Sequence, residues 1–196
     1  MSKAEITKQY IIEKTAPIFN RKGYAGTSLS DLTKATGLTK GSIYGNFENK
    51  DEVALAAFDY NFKVVSGSIV EKVTAKVHAA DKLRVYLTVF GSFHKNPTMA
   101  AGCPILNTAT EADDTHALLR ARAARAIEKW YTHLDMIINE GIDKGEIKPG
   151  TDSKEFAGAF ISLLEGAMML AKVTGKMTGM NAAVKQGEKM IIEITK

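Results

Sequence analysis

Lys40, Ser42, Tyr44 and Asn46 gather four different polar side chains within the seven residues Lys40-Gly-Ser-Ile-Tyr-Gly-Asn46. Ile43 lies among them and Phe47 just beyond, four residues apart, as the inward side of a short helix requires. Ammonium, hydroxyl, phenol and amide groups on the outer side of such a helix are suited to phosphate oxygens and to base edges. A second cluster, Glu111, Asp113, Asp114 and His116, has the side-chain types of a metal site, although successive acids ahead of a helix also act as its caps. Cys103, in Gly102-Cys103-Pro104, is the single cysteine. At a helix start the amides would favour its thiolate and its modification; the alternative is a small buried hydrophobe. No nucleophile–base spacing or phosphate-cradling glycine loop accompanies these residues.

The donors must be held by the elements around them. Ser28 can cap a helix, with Asp31 three residues on, where a carboxylate also suits the positive end of the helix dipole. Leu29, Leu32 and Ala35 share one face, and Gly37 can stop the helix in a left-handed conformation. Leu38 points back inward and Thr39 caps the next helix. Two short helices joined across a glycine turn, with an apolar inner side, make a helix-turn-helix.

Thr27-Ser-Leu-Ser-Asp-Leu32, followed by Gly41-Ser-Ile-Tyr-Gly-Asn-Phe-Glu-Asn-Lys-Asp-Glu52, resembles the DNA-binding domain of the TetR family of transcriptional regulators. The run Ile11–Tyr24 is similar to that family's first helix, so the likeness spans roughly residues 6–58. Pro17 inside the first helix and Asn46, where many relatives have histidine, depart from the pattern. Thr39, Lys40, Gly41 and Ser42 open the recognition helix, where side chains and backbone reach the major groove. The resemblance implies phosphate contacts by Tyr44 and Lys50, with Thr27, Ser28 and Asn46 as further candidates. It also implies an all-α chain, with a three-helix DNA-binding domain at 1–48 and an effector-binding and dimerisation domain at 49–196.

Charge agrees with a polyanion partner. Residues 1–47 hold seven Lys/Arg against three acids, whereas the rest of the chain has nineteen of each, so the whole surplus of +4 lies with the helix-turn-helix. An apolar share of 45% and a charged share of 24% are those of a globular protein. The sequence predicts no bilayer-spanning run and no signal peptide at Met1-Ser-Lys-Ala-Glu-Ile-Thr, and one cysteine forms no internal disulfide. These features point to the cytoplasm.

Helical spacing continues along the chain. The first helix is expected over about 3–22, with Ile12, Ala16 and Phe19 inward. Asn49 and Glu52 form a capping box for a long helix reaching about Val77, with Leu55, Phe58, Phe62, Val65, Ile69 and Val73 along one side. Further helices are expected from about Leu83 towards Pro97, over 103–109, from His116 to Lys144, from Asp152 to Thr174, and over 181–194. A loop from Thr98 to Gly102 separates the first two of these.

Phe62, Tyr86, Phe90, Phe93, Trp130, Tyr131, Met168 and Met169 would suit the lining of an apolar effector site, as they would also suit ordinary core. Cys103 and Asn107 are added as effector-side candidates, and His94, His133 and Glu165 as groups that could orient a ligand. The helix at 152–174 is apolar almost all round, so a second copy is expected to cover one side. Gly158, Ser162, Gly166 and Ala167 on it, with Val184, Gly187 and Ile191 on the last helix, are the interface candidates.

The expectation is a homodimeric, ligand-responsive repressor with no cofactor, released from a palindromic operator by a largely apolar small molecule. An architectural DNA binder without effector and a helical metal-dependent enzyme are the alternatives. The roughly 140 residues after the head argue against the first.

Overall fold

Helices are the dominant secondary structure of the described residues. In the computed structural model, which describes residues 2–95 and 99–196, they are α1 (Lys3–Lys22), α2 (Leu29–Thr36), α3 (Lys40–Tyr44), α4 (Lys50–Thr74), α5 (Ala79–Gly91), α6 (Pro104–Ala112), α7 (Ala117–Asp143), α8 (Ser153–Thr174) and α9 (Thr178–Ile194). A 3-10 turn, Phe93–Lys95, follows α5. Asn96, Pro97 and Thr98, where the sequence places the end of one helix and the start of a loop, lie outside the described residues. An isolated antiparallel bridge, Ile147–Thr195, ties the end of the chain to the loop after α7.

Local chemistry explains the helix boundaries. Ser28 and Asp31 exchange side-chain-to-backbone bonds as a complete capping box, and Gly37 stops α2 at φ 68°. Thr39 Oγ1 accepts the Ser42 N–H and starts α3. At α4 the expected box is only half formed. Asn49 Oδ1 accepts the Glu52 N–H, but the Glu52 carboxylate accepts from Glu48 rather than from Asn49. Asp152 Oδ1 takes the N–H groups of both Lys154 and Glu155 at the start of α8. α4 ends at Thr74 instead of 77, where the Lys76 N–H turns back to Val73 in an i→i−3 bond that tightens the last turn.

The chain divides into two compact units. The first comprises residues 1–65 and 101–125. Its core is built on Ile11, Ala16, Phe19, Leu32, Ile43, Phe47 and Phe58. α1 buries Ile11, Thr15, Ala16, Phe19 and Asn20 rather than the expected stripe through Ile12, which is half-buried. The difference is chemical: Thr15 returns its hydroxyl to Ile11 and Asn20 donates to the Gly102 carbonyl, so polar residues are satisfied inside. A segment well beyond residue 48, α6 with the start of α7, thus belongs compactly with the helix-turn-helix.

The second unit comprises residues 66–100 and 126–196, where α5, α8 and α9 pack together. A methyl added at Gly187 on α9 would sit 2.5 Å from Leu87 Cδ2 and 3.2 Å from Phe160 Cε2, so glycine sets this close approach. Arg84 on α5 donates from Nη2 to Glu188 on α9 at 2.7 Å and from Nη1 to Asp81 at 3.0 Å. Contrary to the sequence expectation, α4 and α8 do reach the length and mean hydropathy (1.2 and 1.5) of a membrane-spanning segment. Both bury a side within the protein, as core helices do.

Candidate nucleic-acid interface and effector region

α3 is five residues long and is held from beneath. Ile43 is fully buried and Phe47 nearly so, over a fully buried Leu32 of α2. Tyr10 of α1 donates its hydroxyl to the Thr36 carbonyl at the end of α2, at 3.0 Å. With the inner side fixed, Thr39, Lys40 and Gly41 are exposed at the start of α3, and Ser42 and Tyr44 are half-buried beside them. A methyl at Gly41 would meet only Thr39 Oγ1, at 3.9 Å, so this surface stays open to an approaching backbone. Asn46 donates its amide to the Ser42 carbonyl at 2.9 Å.

Several other polar groups of the head are already engaged. Lys22 Nζ lies 2.6 Å from Asp31 Oδ1, and this bond, followed by those from the Ser28 N–H and hydroxyl, holds the Asp31 carboxyl well below the usual carboxylate range. Lys8 pairs with Glu52 at 2.8 Å and lies over the Phe47 ring. Lys50 Nζ stands 4.3 Å from the centroid of the Tyr24 ring. Thr27, a phosphate-contact candidate by resemblance, does not face the DNA-binding surface as a free donor. It is fully buried, its hydroxyl donates to the Gly23 carbonyl at 2.6 Å and its N–H to Tyr24, so it shapes the loop into α2 instead of presenting a donor.

Glu111, Asp113 and His116 of the cluster expected to cap or to hold a metal have structural partners. Glu111 accepts the backbone N–H groups of Tyr24 and Ala25. Asp113 accepts the Asp114 N–H, and His116 Nδ1 accepts the Leu119 N–H at the start of α7. The Glu111 clamp leaves no local signal in the sequence, because its two backbone partners lie 87 and 86 residues away.

In the second unit an aromatic cluster forms. Phe90 meets Trp130 edge-on at 5.8 Å, Tyr86 meets Phe160 at 6.4 Å, and Phe156 stacks on Phe160 at 5.3 Å. Phe93 and Met168 are buried in the same unit. The Tyr86 hydroxyl lies 2.6 Å from His133 Nδ1. Burial raises the Tyr86 phenol, and burial with the nearby Lys82 charge lowers the His133 imidazole. Both shifts favour a neutral pair in which tyrosine donates and histidine accepts. Phe156 and Phe160, absent from the sequence-based candidates, carry the signature of an i, i+4 aromatic pair on one helix.

Other effector candidates lie elsewhere. Met169 is exposed on α8, whereas its neighbour Met168 is buried. Tyr131 lines an open groove of about 430 Å³ with Glu128, Asp135 and Lys154. Phe62, in the first unit, stacks on Phe58. Asn107 commits its amide to Asn20 and to the Ala101 carbonyl. Cys103 is completely buried at the start of α6, the environment of a small hydrophobe and not of an accessible thiolate.

The interface candidates also separate. Ala167, Gly187 and Ile191 are buried within the protomer, and Val184 packs against Gly91, so these four serve the chain's own core. Periodicity marks an apolar side without saying which surface covers it. Ser162 remains exposed and Gly158 and Gly166 partly so, alongside Met169, Leu170 and Val173, which are 47%, 50% and 83% exposed.

The comparisons agree with this architecture. Residues 11–57 match the profile described as bacterial regulatory proteins, tetR family, and residues 79–186 match the tetracyclin repressor-like C-terminal domain. The HTH-type transcriptional repressor DhaR of Mycobacterium sp. (strain GP1) is 25% identical over 85% of this chain and 82% of its own length. A TetR-family regulator from Cytophaga hutchinsonii is 45% identical, covers 100% of this chain and 98% of its own, and superposes with a TM-score of 0.92. One from Chloroflexus aurantiacus is 38% identical with the same coverage and a TM-score of 0.93. The chain therefore belongs to the TetR family of transcriptional regulators, helix-turn-helix DNA-binding proteins that are not enzymes.

Proposed function

We propose that the protein is a cytoplasmic, homodimeric repressor that leaves a palindromic operator when a largely apolar small molecule binds its second half. The observation that carries this reading is the start of α3. Thr39, Lys40 and Gly41 stand exposed on a helix whose inner side is locked by Ile43 and Phe47, within the first 47 residues, which hold all the surplus positive charge. Lys40 and its neighbours read bases, while Tyr44, Asn46 and Lys50 set register on phosphates; Ser28 spends its N–H and hydroxyl on Asp31 and acts as the cap of α2. Function divides near residue 48, and the aromatic cluster around Tyr86, Phe90 and Trp130 is the effector side. α4 has residues in both compact units, and the switch proposed is a ligand-driven shift of its far end that moves Lys50. Moving the two heads relative to a fixed half-site spacing costs contacts, which is the differential affinity that a switch requires.

The test is binding to duplex DNA across a range of salt concentrations. Lys50→Ala is expected to weaken binding to every sequence alike and to lower the slope of log affinity against log salt by about one. Lys40→Ala is expected to change preference among sequences. Affinity indifferent to salt would overturn the assignment of the basic head.

A further inference from the structure

Helices α4 and α6, with His116 just ahead of α7, converge on one residue of the head, Tyr24. Its N–H donates to Glu111 Oε2 at 2.7 Å, next to the Ala25 N–H, which donates to Oε1 at 2.8 Å. Its hydroxyl donates to Asp51. Its ring meets the His116 imidazole edge-on, with centroids 4.6 Å apart at 79°. On the ring lies Lys50 Nζ, 4.3 Å from the centroid. Gly23 makes room for the arrangement: it sits at φ 74°, and a methyl there would come within 2.3 Å of the Glu111 carboxylate. All of these residues lie in the first compact unit.

We propose that Tyr24 is a positioning residue for DNA binding, whose ring holds the Lys50 ammonium ready for phosphate, and that Glu111 fixes the backbone from which that ring projects. The inference rests on the reading of Lys50 as a phosphate ligand. An ammonium over the electron-rich face of an aromatic ring is attracted to it and keeps its N–H groups available to donate. A lysine that meets phosphate from solution loses its rotamer freedom on binding; here the ring removes that freedom before DNA arrives. The ring is itself held at both ends, by Glu111 on its backbone and by Asp51 on its hydroxyl. The bond to Asp51, with burial, pushes the phenol up to about 12, so the ring stays neutral across the physiological range. Glu111 belongs to α6, so the lysine's place depends on a helix more than fifty residues beyond the helix-turn-helix.

The experiment is a mutant cycle on the full chain, reading affinity for a labelled mixed-sequence DNA duplex at several salt concentrations. Tyr24→Leu is expected to weaken binding about two- to fivefold. Tyr24→Phe keeps the ring but frees it from Asp51, and Glu111→Gln removes one backbone acceptor; each is expected to give a smaller loss. The discriminating readout is the Lys50→Ala background, in which all three losses are expected to vanish. Equal losses in both backgrounds, or none in either, overturn the positioning role, whatever happens to the unfolding midpoint. Should Tyr24→Leu fail to fold, Tyr24→Phe and Glu111→Gln carry the cycle alone. Lys50→Ala that leaves both affinity and salt slope unchanged overturns the phosphate reading of Lys50, and the positioning role with it.

Discussion

Gly166→Asp is expected to turn the protein into monomers that still fold. In the single chain an added Cβ at Gly166 meets nothing within 4 Å, so the protomer has room for the side chain. Around it the outer side of α8 presents Met169, Leu170 and Val173 to solvent, an apolar strip that one chain leaves uncovered. If a second copy covers that strip, the carboxylate is buried without a partner, which costs about 3–5 kcal/mol and weakens association more than a hundredfold or so. Sedimentation velocity at micromolar concentration reads the result directly. Dimeric wild type with a monomeric variant of unchanged helix content is the expected pair. A monomeric wild type, or a variant that dimerises equally well, removes α8 from the interface.

Phe160→Ala is expected to lower stability by about 3–5 kcal/mol, the cost of deleting a fully buried aromatic side chain. Its ring touches Tyr86 and Phe156 and closes on Gly187, where α5, α8 and α9 approach each other. Alanine leaves a cavity there that the surrounding helices fill only in part. In a chain of this size the loss corresponds to a fall in melting temperature of about 6–20 °C. Wild type and variant are compared at equal protein concentration, because dimerisation itself contributes to the melting temperature. Met136→Ala, exposed on α7 and outside the apolar strip of α8, serves as the control and should shift the melt little. An unchanged melt in Phe160→Ala would mean that the aromatic cluster does not hold the second unit together.

The head was largely legible because its signals are local. Ser28 with Asp31, Gly37 and Thr39 act on neighbours within a few residues, and each does in the structure what its type and position predict. Thr27 was misread because sequence does not say which way a loop hydroxyl turns, and here it turns back to Gly23. Periodicity likewise marked Ala167, Gly187 and Ile191 as apolar, but their cover comes from the protomer itself. Glu111 stood out only as one of a cluster of acids, and its clamp on Tyr24 and Ala25 left no trace in any local pattern, since a carboxylate that holds backbone amides 86 and 87 residues away follows no spacing rule. The proposed effector side was legible only as a list of aromatics. Tyr86, Phe90 and Trp130 fall into a buried cluster, whereas Tyr131 and Met169 stand on other surfaces.

The central claim is that two copies read DNA together through the start of α3. Selection of bound sequences from a random DNA pool by the purified wild-type protein tests it most directly. The account predicts enrichment of an inverted repeat with half-site centres one helical turn or a multiple apart, ~34–36 Å per turn, and a shift in the enriched bases for Lys40→Ala. Recovery of no preferred sequence, or of a single unrepeated half-site, would contradict it.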